Sequence, residues 1–365
     1  MLVTGANGQV GHELLRVLVK QPSPSIPLRS EGGRKSPPSL AKGVAPQARG
    51  DAHLLRNEGG RRAAAGGCRP PLCKIVPATR TGALEDGTPC ERVDLADPDG
   101  MRDALDRIAP DIILNAAAYT AVDRAEDEPE LAQRSNGDAP GVLGAWAKQH
   151  GARVVHYSTD YVFDGNASRP YREDDATHPV SVYGRSKLAG ELALRDSGAR
   201  HLILRTAWVY AARGHNFLRT ILRLGAERDV LRVVDDQIGA PTSARLIAEV
   251  TARVVAQWCA PPSAGRGSMR SIGGMPTLDG TYHLVTSGQT SWCGFARAIF
   301  ERARAGGLLA RAPTVEAIRT IEYPTKAARP AWSVLDTTKL RETFDIALPD
   351  WQHGLDEVIG ELTHS

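Results

Sequence analysis

Long apolar runs and cysteine pairs are both missing from this 365-residue sequence. No segment approaches the roughly 18 consecutive apolar residues that a membrane-spanning helix needs, and the N-terminus lacks the basic start and apolar stretch of a signal peptide. The five cysteines include no Cys-x-x-Cys pair and the ten histidines no His-x-x-x-His spacing, which argues against disulfides, zinc ribbons and catalytic zinc. We expect a soluble protein of the reducing cytoplasm, long enough for one large or two small domains.

Aromatic residues are absent from residues 21–73, which contain eight Pro and eight Gly. Nine basic residues against three acidic ones give this segment a net charge of +6, and the remaining chain is slightly acidic at −3. Because so little apolar surface cannot offset the entropy of ordering, we expect a disordered or loosely looped insertion. Binding of RNA or phosphate through Arg61, Arg62 and Arg69 is an alternative, but nothing is available to stack on bases, and we expect no nucleic-acid partner.

Outside that segment, short apolar runs alternate with amphipathic ones. Predicted strands cover residues 1–4, 74–79, 91–94, 111–115, 153–158 and 201–206. Predicted helices cover residues 9–20, 98–108, 129–150 and 183–196. Alternating β and α segments with continuous apolar strands are typical of a parallel sheet with helices on both faces. The sequence therefore predicts a doubly wound, Rossmann-type α/β fold.

A division into two domains follows from a change of pattern near residue 210. Residues 1–20 and 74–210 are predicted to form an NAD(P)-binding Rossmann domain. Residues 211–365 are predicted to form mainly a smaller, mixed α/β substrate-binding domain, some segments of which return to the Rossmann sheet. The predicted helices there cover 216–227, 243–257, 291–305 and 351–362, and the strands 231–234 and 281–285, with a Pro/Gly/Ser-rich stretch at 259–274.

The first predicted strand runs into Gly5-x-x-Gly8-x-x-Gly11 and then a helix. In this setting the first glycine permits a tight turn, the second lets a pyrophosphate approach the backbone, and the third lets helix and strand pack closely. The helix N-terminus adds free N–H donors. Position after the first strand, more than spacing, makes this motif specific for a dinucleotide.

The choice between NADPH and NADH depends on the second strand. An acidic residue about 20 positions downstream would normally bind the ribose 2′-hydroxyl, but Glu31 lies in the Pro/Gly-rich segment. The second strand ends instead at Thr79 and Arg80, which offers a guanidinium for a 2′-phosphate. We favour NADPH and leave NADH open. Asp94, at the end of the third strand, borders the adenine or begins the following helix.

Tyr183-x-x-x-Lys187 places a phenol and an ammonium on one face of a predicted helix. A free tyrosine has a pKa near 10, and a nearby positive charge is expected to lower it. Such a tyrosine can protonate a carbonyl oxygen as hydride arrives. In an unrelated fold, this pair would be an ordinary surface pair.

Hydroxyl side chains end the strand at residues 153–158, where ligands of open parallel sheets bind. Thr159 is our candidate for hydrogen bonding to the substrate carbonyl; Ser158 and Asp160 fit a plain turn as well. Small residues follow the strand at 111–115 and leave room for a cofactor. We expect Trp208 either to lie along a sugar or nucleotide or to belong to the core.

These motifs together resemble the extended short-chain dehydrogenase/reductases, and more closely the dTDP-4-dehydrorhamnose reductase family. The closer resemblance rests on residues 8–11, 115–126, 156–163, 205–210, 236–242 and 348–351. It covers nearly the whole chain except residues 21–73. It implies reduction of the C4 ketone of dTDP-6-deoxy-L-lyxo-4-hexulose to dTDP-L-rhamnose with NADPH.

The resemblance also implies residue roles. Tyr183 would be the proton donor, Lys187 would hold the nicotinamide ribose and tune Tyr183, and Thr159 belongs with them to the catalytic set. Thr159, Asp160 and Trp208 would contact the dTDP-sugar. The cofactor-binding positions would be Gly5, Gly8, Gln9, Val10, Gly11, Thr79, Arg80, Asp94, Leu95, Ala118, Tyr119, Thr120, Tyr183 and Lys187.

One departure from the family concerns metal and assembly. Some members hold Mg²⁺ at a dimer interface through three glutamates, and the aligned positions here are Glu13, Arg245 and Glu361. An arginine cannot ligate a cation, so we expect this metal site to be lost, with Arg245 pairing with the glutamates instead. A homodimer is implied by the same resemblance.

Two other functions remain open at this stage. An epimerase or dehydratase of the same superfamily would keep the Tyr-Lys pair but retain NAD⁺ tightly and add acid/base groups. A non-catalytic, dinucleotide-binding regulatory subunit, similar to the partner of methionine adenosyltransferase, would share the fold. Residues 21–73, inserted between the first helix and second strand, are expected to weaken folding or disturb the nearby adenine-ribose site.

Overall fold

The computed structural model describes residues 1–20, 74–260 and 278–364. The predicted insertion at 21–73, with Glu31, Arg61, Arg62 and Arg69, lies outside these residues, as does most of the Pro/Gly/Ser-rich stretch at 259–274. In the three described ranges, no helix is long and apolar enough to cross a membrane.

Along the first two described ranges, strands mostly alternate with helices. The strands are β1 Leu2–Thr4, β2 Val76–Thr79, β3 Glu91–Arg92, β4 Ile112–Asn115, β5 Arg153–Thr159, β6 Arg200–Thr206, β7 Val209–Tyr210, β8 Val230–Val234, β9 Ile238–Gly239, β10 Thr242–Ser243, β11 Gly280–His283, β12 Thr290–Ser291 and β13 Thr314–Ile318. The helices are α1 Gln9–Lys20, α2 Pro98–Ile108, α3 Val122–Ala125, α4 Pro129–Ala132, α5 Ala139–His150, α6 Val182–Asp196, α7 Phe217–Glu227, α8 Ala244–Cys259, α9 Trp292–Ala305, α10 Thr338–Phe344 and α11 Trp351–Thr363.

The described residues form a seven-stranded sheet in the order β11-β6-β5-β4-β1-β2-β3, with parallel neighbours throughout. The order reverses between β1 and β4, which is the switch point where ligands bind in open α/β sheets. The predicted fold class is confirmed: this is a doubly wound, Rossmann-type sheet.

Two apolar layers cover the central strands, because buried strands in parallel sheets carry apolar residues on both faces. One layer packs Val3, Leu114 and Val155 against α1 and α8. The other packs Leu2 and Ile113 against α2 and α5. Because helices cover both faces of the sheet, only the ends of its strands are open to a ligand.

The C-terminal part of the chain both completes the sheet and builds a smaller lobe. β11 extends the sheet beside β6, and α8 packs on α1, so both belong to the Rossmann layer. The lobe consists of α7, α9 and α11 around a separate apolar cluster, with β8 and β13 paired in parallel. Its position after β6 places this lobe at the end of the sheet where the candidate site lies.

The predicted helix at 129–150 differs from the observed one. The chain forms α4, then a π-helical turn over Gln133–Asp138, and then α5. Periodicity of apolar residues does not distinguish these states, since the turn changes the register without ending the helical run. The turn carries Asn136, which becomes important in the site.

Candidate active site

The candidate site lies along the carboxyl ends of β1, β4, β5 and β6, at one edge of the sheet. Gly5 follows β1, Asn115 ends β4, Thr159 ends β5 and Thr206 ends β6. Thr159 and Thr206 are directly paired in the register of β5 and β6. The sheet therefore brings together residues that are up to about 200 positions apart.

The glycine turn fits a dinucleotide. A Cβ on Gly11 would lie 2.1 Å from the carbonyl oxygen of Gly5, so only glycine lets α1 begin this close to the turn. Gly8 is exposed, and the N–H groups of Gln9, Val10 and Gly11, the first three residues of α1, have no acceptor within the helix. This end of α1 offers backbone donors and a positive dipole to a pyrophosphate.

The predicted adenine-side residues surround the end of β2. The Thr79 hydroxyl donates to the carbonyl of Ala83 at 3.0 Å and accepts from the N–H of Gly82, so it shapes this loop. Arg80 is exposed directly after it. The Asp94 carboxylate accepts from the N–H of Ala96 at 3.0 Å, and Leu95 is buried. The beginning of α2 is capped by Asp97, not by Asp94.

Helix α6 is fixed where it enters the site. The Ser181 hydroxyl caps the helix by accepting from the N–H of Gly184 at 3.1 Å. A Cβ on Gly184 would lie 2.2 Å from the carbonyl oxygen of Tyr161, so glycine allows α6 to pack on the turn after β5. The cap and this close contact set the positions of Tyr183 and Lys187.

The hydroxyl of Tyr183 meets the end of β5. The phenol lies close enough to the Thr159 hydroxyl for that hydroxyl to act on its pKa. Thr159 Oγ1 also donates to Asp160 Oδ1 at 2.9 Å and accepts from the N–H of Tyr161 at 3.2 Å. Burial raises the pKa of Asp160 to about 6, against the lowering effect of the Thr159 hydrogen bond. The Thr159 hydroxyl and the Asp160 carboxyl are thus hydrogen-bonded to each other beside the phenol of Tyr183.

Lys187 is fully buried and bound to β5. Its ammonium donates to the carbonyl oxygen of Tyr157 at 2.6 Å and lies 3.3 Å from His156 Nε2. Burial lowers the pKa of Lys187 to about 8, although Glu191 acts to raise it. Burial and the charge of Lys187 hold the pKa of His156 well below its usual range, so this imidazole is neutral.

The expected lowering of the Tyr183 pKa by Lys187 is wrong for this structure. Burial of the hydroxyl raises the pKa of Tyr183; the Thr159 hydroxyl opposes this, and Asp160 and Tyr161 add to it. The Lys187 ammonium is directed at the Tyr157 carbonyl instead. Tyr183 therefore keeps its proton at neutral pH, which suits a proton donor.

Sequence reasoning missed two buried supports of the site. Asn115 connects His156 Nδ1, 3.0 Å from its amide nitrogen, to the Thr4 hydroxyl, which donates to its Oδ1 at 2.7 Å. Asn136 accepts from the N–H of Tyr119 at 2.8 Å and donates to the carbonyl of the same residue at 2.9 Å. The Asn-Gly pair at 136–137, inside a predicted helix, was the signal available for the second.

Trp208 lies at the lobe side of the site in a left-handed backbone conformation, with φ of 49°. Its ring stacks on Trp292, with centroids 3.6 Å apart and planes 5° from parallel. The side chain is half-buried. One face of the indole is therefore covered by Trp292, and Gly239 packs closely against its Cε2 atom.

Arg329, from the C-terminal part of the chain, contacts the residues beside Tyr183. Arg329 donates to Asp123 Oδ2 at 2.7 Å and lies 3.5 Å from the Tyr161 hydroxyl. The Tyr161 ring meets the Tyr183 ring edge-on, with centroids 5.6 Å apart. Nothing local in the sequence connects Arg329 to Tyr183; Arg329 reaches Tyr183 only through Tyr161, which contacts both.

A Rossmann sheet with a glycine turn, and a Tyr-x-x-x-Lys helix facing a strand-end hydroxyl, defines an extended short-chain dehydrogenase/reductase. Comparison with known proteins narrows this class. Residues 72–364 match the family model described as the RmlD substrate binding domain. The dTDP-4-dehydrorhamnose reductase of Escherichia coli K12 is 46% identical over 269 residues, which cover 74% of this chain and 85% of that protein. That of Burkholderia thailandensis is 46% identical over 293 residues, covering 80% and 92%.

Solved structures agree. The dTDP-4-dehydrorhamnose reductase of Bacillus anthracis, in complex with NADP, superposes with a TM-score of 0.72 at 28% identity and covers 99% of this chain and 98% of that one. The Clostridium acetobutylicum orthologue has the same TM-score at 30% identity, with the same coverage. The chain belongs to the dTDP-4-dehydrorhamnose reductase family.

Proposed function

We propose that this protein reduces the C4 ketone of dTDP-6-deoxy-L-lyxo-4-hexulose to dTDP-L-rhamnose, with NADPH as reductant. The observation that carries the proposal is that Tyr183 lies beside the end of β5 at the switch-point edge of the sheet: its ring packs against Tyr161, whose N–H donates to the Thr159 hydroxyl. The hydroxyl groups of Tyr183 and Thr159 can both reach one carbonyl oxygen of a substrate bound there. The names of the relatives at 46% identity supply the substrate class.

Tyr183, Thr159 and Asp160 have different roles in the proposed reduction. When bound, the dinucleotide supplies the hydride for C4. Tyr183 donates the proton to the carbonyl oxygen, because its raised pKa keeps the phenol protonated until negative charge develops on that oxygen. Thr159 would orient the same oxygen once its hydroxyl turns from Asp160 Oδ1, to which it donates without substrate, and donates to the carbonyl oxygen instead.

Lys187 is proposed to hold the nicotinamide ribose, as the family resemblance implies. Its fixed position on the Tyr157 carbonyl makes the ammonium a rigid donor at the base of the site. The proposed cofactor-binding positions follow the carboxyl ends of β1, β2 and β4: the glycine turn, Thr79 with Arg80, and residues 118–120. Arg80, exposed after β2, favours the 2′-phosphate of NADPH, and the Bacillus anthracis relative was solved with NADP.

The test follows NADPH absorbance after the dTDP-4-keto sugar is added to purified protein. We expect oxidation that requires the sugar, and Tyr183→Phe should lower kcat by at least about a hundredfold while changing NADPH affinity only a fewfold. Tyr323→Phe, at an exposed tyrosine, is the matched control and should leave kcat unchanged. Unchanged turnover in Tyr183→Phe would overturn the assigned role.

A regulatory subunit is the second candidate. It would bind NADPH, titrated by fluorescence, and show no turnover in the same assay. Intact Tyr183, Thr159 and Lys187, connected as described, favour the enzyme, because a subunit that only binds a dinucleotide has no need of a proton donor.

Assembly and location are part of the proposal. We expect a cytoplasmic homodimer, as the family resemblance implies. Sedimentation velocity should then give a species of twice the 39.2 kDa chain mass. A species of single-chain mass at micromolar concentration would contradict the dimer.

A further inference from the structure

Two acidic and two basic side chains form a cluster that joins three helices outside the active site. Glu13 and Arg16 lie on α1, Arg245 on α8 and Glu361 on α11. Arg16 Nη1 lies 2.9 Å from Glu13 Oε1 and 2.9 Å from Glu361 Oε1. Arg245 Nη2 lies 2.5 Å from Glu361 Oε2, and its Nε lies 3.9 Å from Glu13 Oε2. Each carboxylate therefore faces both guanidinium groups.

Because its side chains are partly or mostly buried, this cluster contributes more to stability than ion pairs on the surface do. The Glu13 side chain is 6% exposed, and the other three are 24% to 34% exposed. An isolated exposed pair contributes little, but a mostly buried carboxylate is strongly destabilising when its cation is removed. The Glu13 carboxylate therefore requires a positively charged neighbour.

The family resemblance places Mg²⁺ between positions 13, 245 and 361, and the residues present do not fit that ion. Mg²⁺ takes oxygen ligands in an octahedral shell, whereas a guanidinium has only N–H donors and stays protonated. Arg245 also brings its own positive charge to the place where the cation would lie. Within the described ranges, no group of three His, Cys, Asp or Glu side chains could hold a metal.

We infer that Arg245, together with Arg16, supplies the positive charge that balances Glu13 and Glu361, so that α1, α8 and α11 are held together without a divalent cation. The guanidinium groups take the structural role of a metal ion. Stability of this protein should then be independent of Mg²⁺.

Thermal unfolding, followed by circular dichroism in millimolar Mg²⁺ and in EDTA, tests this on the full chain. We expect the same midpoint for the wild-type protein in both solutions. Arg245→Gln should lower the midpoint by about 3–6 °C in both, because it removes the charge that balances Glu13. Arg253→Gln, at an exposed arginine two turns further along α8, is the matched control and should change nothing.

Arg245→Glu provides the opposite test, because it adds a third carboxylate to the cluster. This variant should unfold at a lower temperature in EDTA and regain stability in Mg²⁺. A wild-type midpoint that rises with Mg²⁺, an unaltered midpoint in Arg245→Gln, or an Arg245→Glu variant indifferent to Mg²⁺ would each overturn the inference. Unfolding reads out the whole chain, so none of these results depends on the proposed reaction.

Discussion

The ammonium of Lys187 donates to the carbonyl oxygen of Tyr157 at 2.6 Å, one turn along α6 from Tyr183. This contact attaches the helix of the Tyr-x-x-x-Lys motif to strand β5, whose last residue is Thr159. By joining α6 to β5, the Lys187 contact fixes the position of Tyr183 relative to the Thr159 hydroxyl.

The first prediction concerns the charge of Lys187. Because burial lowers its pKa to about 8, the ammonium should lose its proton above that pH, and kcat should fall by about tenfold for each further pH unit. Initial rates between pH 6.5 and 9.5 measure this, with Lys148→Gln as a control on another helix. A rate that stays constant to pH 9.5 would show that the charge is not needed. The raised pKa of Tyr183 places loss of the phenol proton at higher pH.

The second prediction concerns stability and Asp160. Its pKa is about 6 in the folded protein and 3.8 ordinarily, so between these values the folded state binds more protons than the unfolded state. The free energy of unfolding should therefore fall as pH rises from about 4 to about 6, by up to about 3 kcal/mol. Urea unfolding of the wild-type protein and of Asp160→Asn, compared at pH 5 and 7.5, measures this contribution. The variant should lose less stability over that range; identical losses would contradict the prediction.

The third prediction concerns Asn136, which satisfies both backbone groups of Tyr119. Asn136→Ala should leave the part-buried N–H and C=O of Tyr119 without this partner and lower the free energy of unfolding by about 1–3 kcal/mol. Affinity for NADPH should fall as well, since Tyr119 is a proposed cofactor-binding position. Chemical denaturation and a fluorescence titration measure the two effects. Gln133→Ala, in the same π-helical turn but exposed, is the control.

The fourth prediction concerns residues 21–73. Helix α1 ends at Lys20 and β2 begins at Val76, directly beside β1, so a short linker can replace the segment between Lys20 and Lys74. Shortening this connection should stabilise the fold by up to about 2 kcal/mol through a smaller loop-closure entropy. Thermal unfolding and NADPH turnover of the shortened chain measure the effect. An unfolded or insoluble product would show that the segment contributes to the structure.

Much of the fold could be predicted from local patterns. The helices at 9–20 and 98–108 begin and end as predicted, because an amphipathic stripe with clear boundaries specifies a helix without reference to the rest of the chain. The helix at 129–150 could not be predicted in full, since a π-helical turn keeps the apolar pattern while changing the register. The strand at 281–285 was found, but its partner β6 was not, because pairing joins segments about 80 residues apart.

The sequence by itself determined which chemistry the chain carries: a glycine turn after the first strand, a Tyr-x-x-x-Lys helix and a hydroxyl strand end. These signals are local, since each depends on spacings of a few residues. The family resemblance already implied that Arg245 pairs with Glu361, and the structure confirms it. The tertiary structure alone decided where the Lys187 ammonium points and that the Tyr183 pKa is raised. Those outcomes depend on burial and on charges from distant segments, and neither is written in the neighbouring residues.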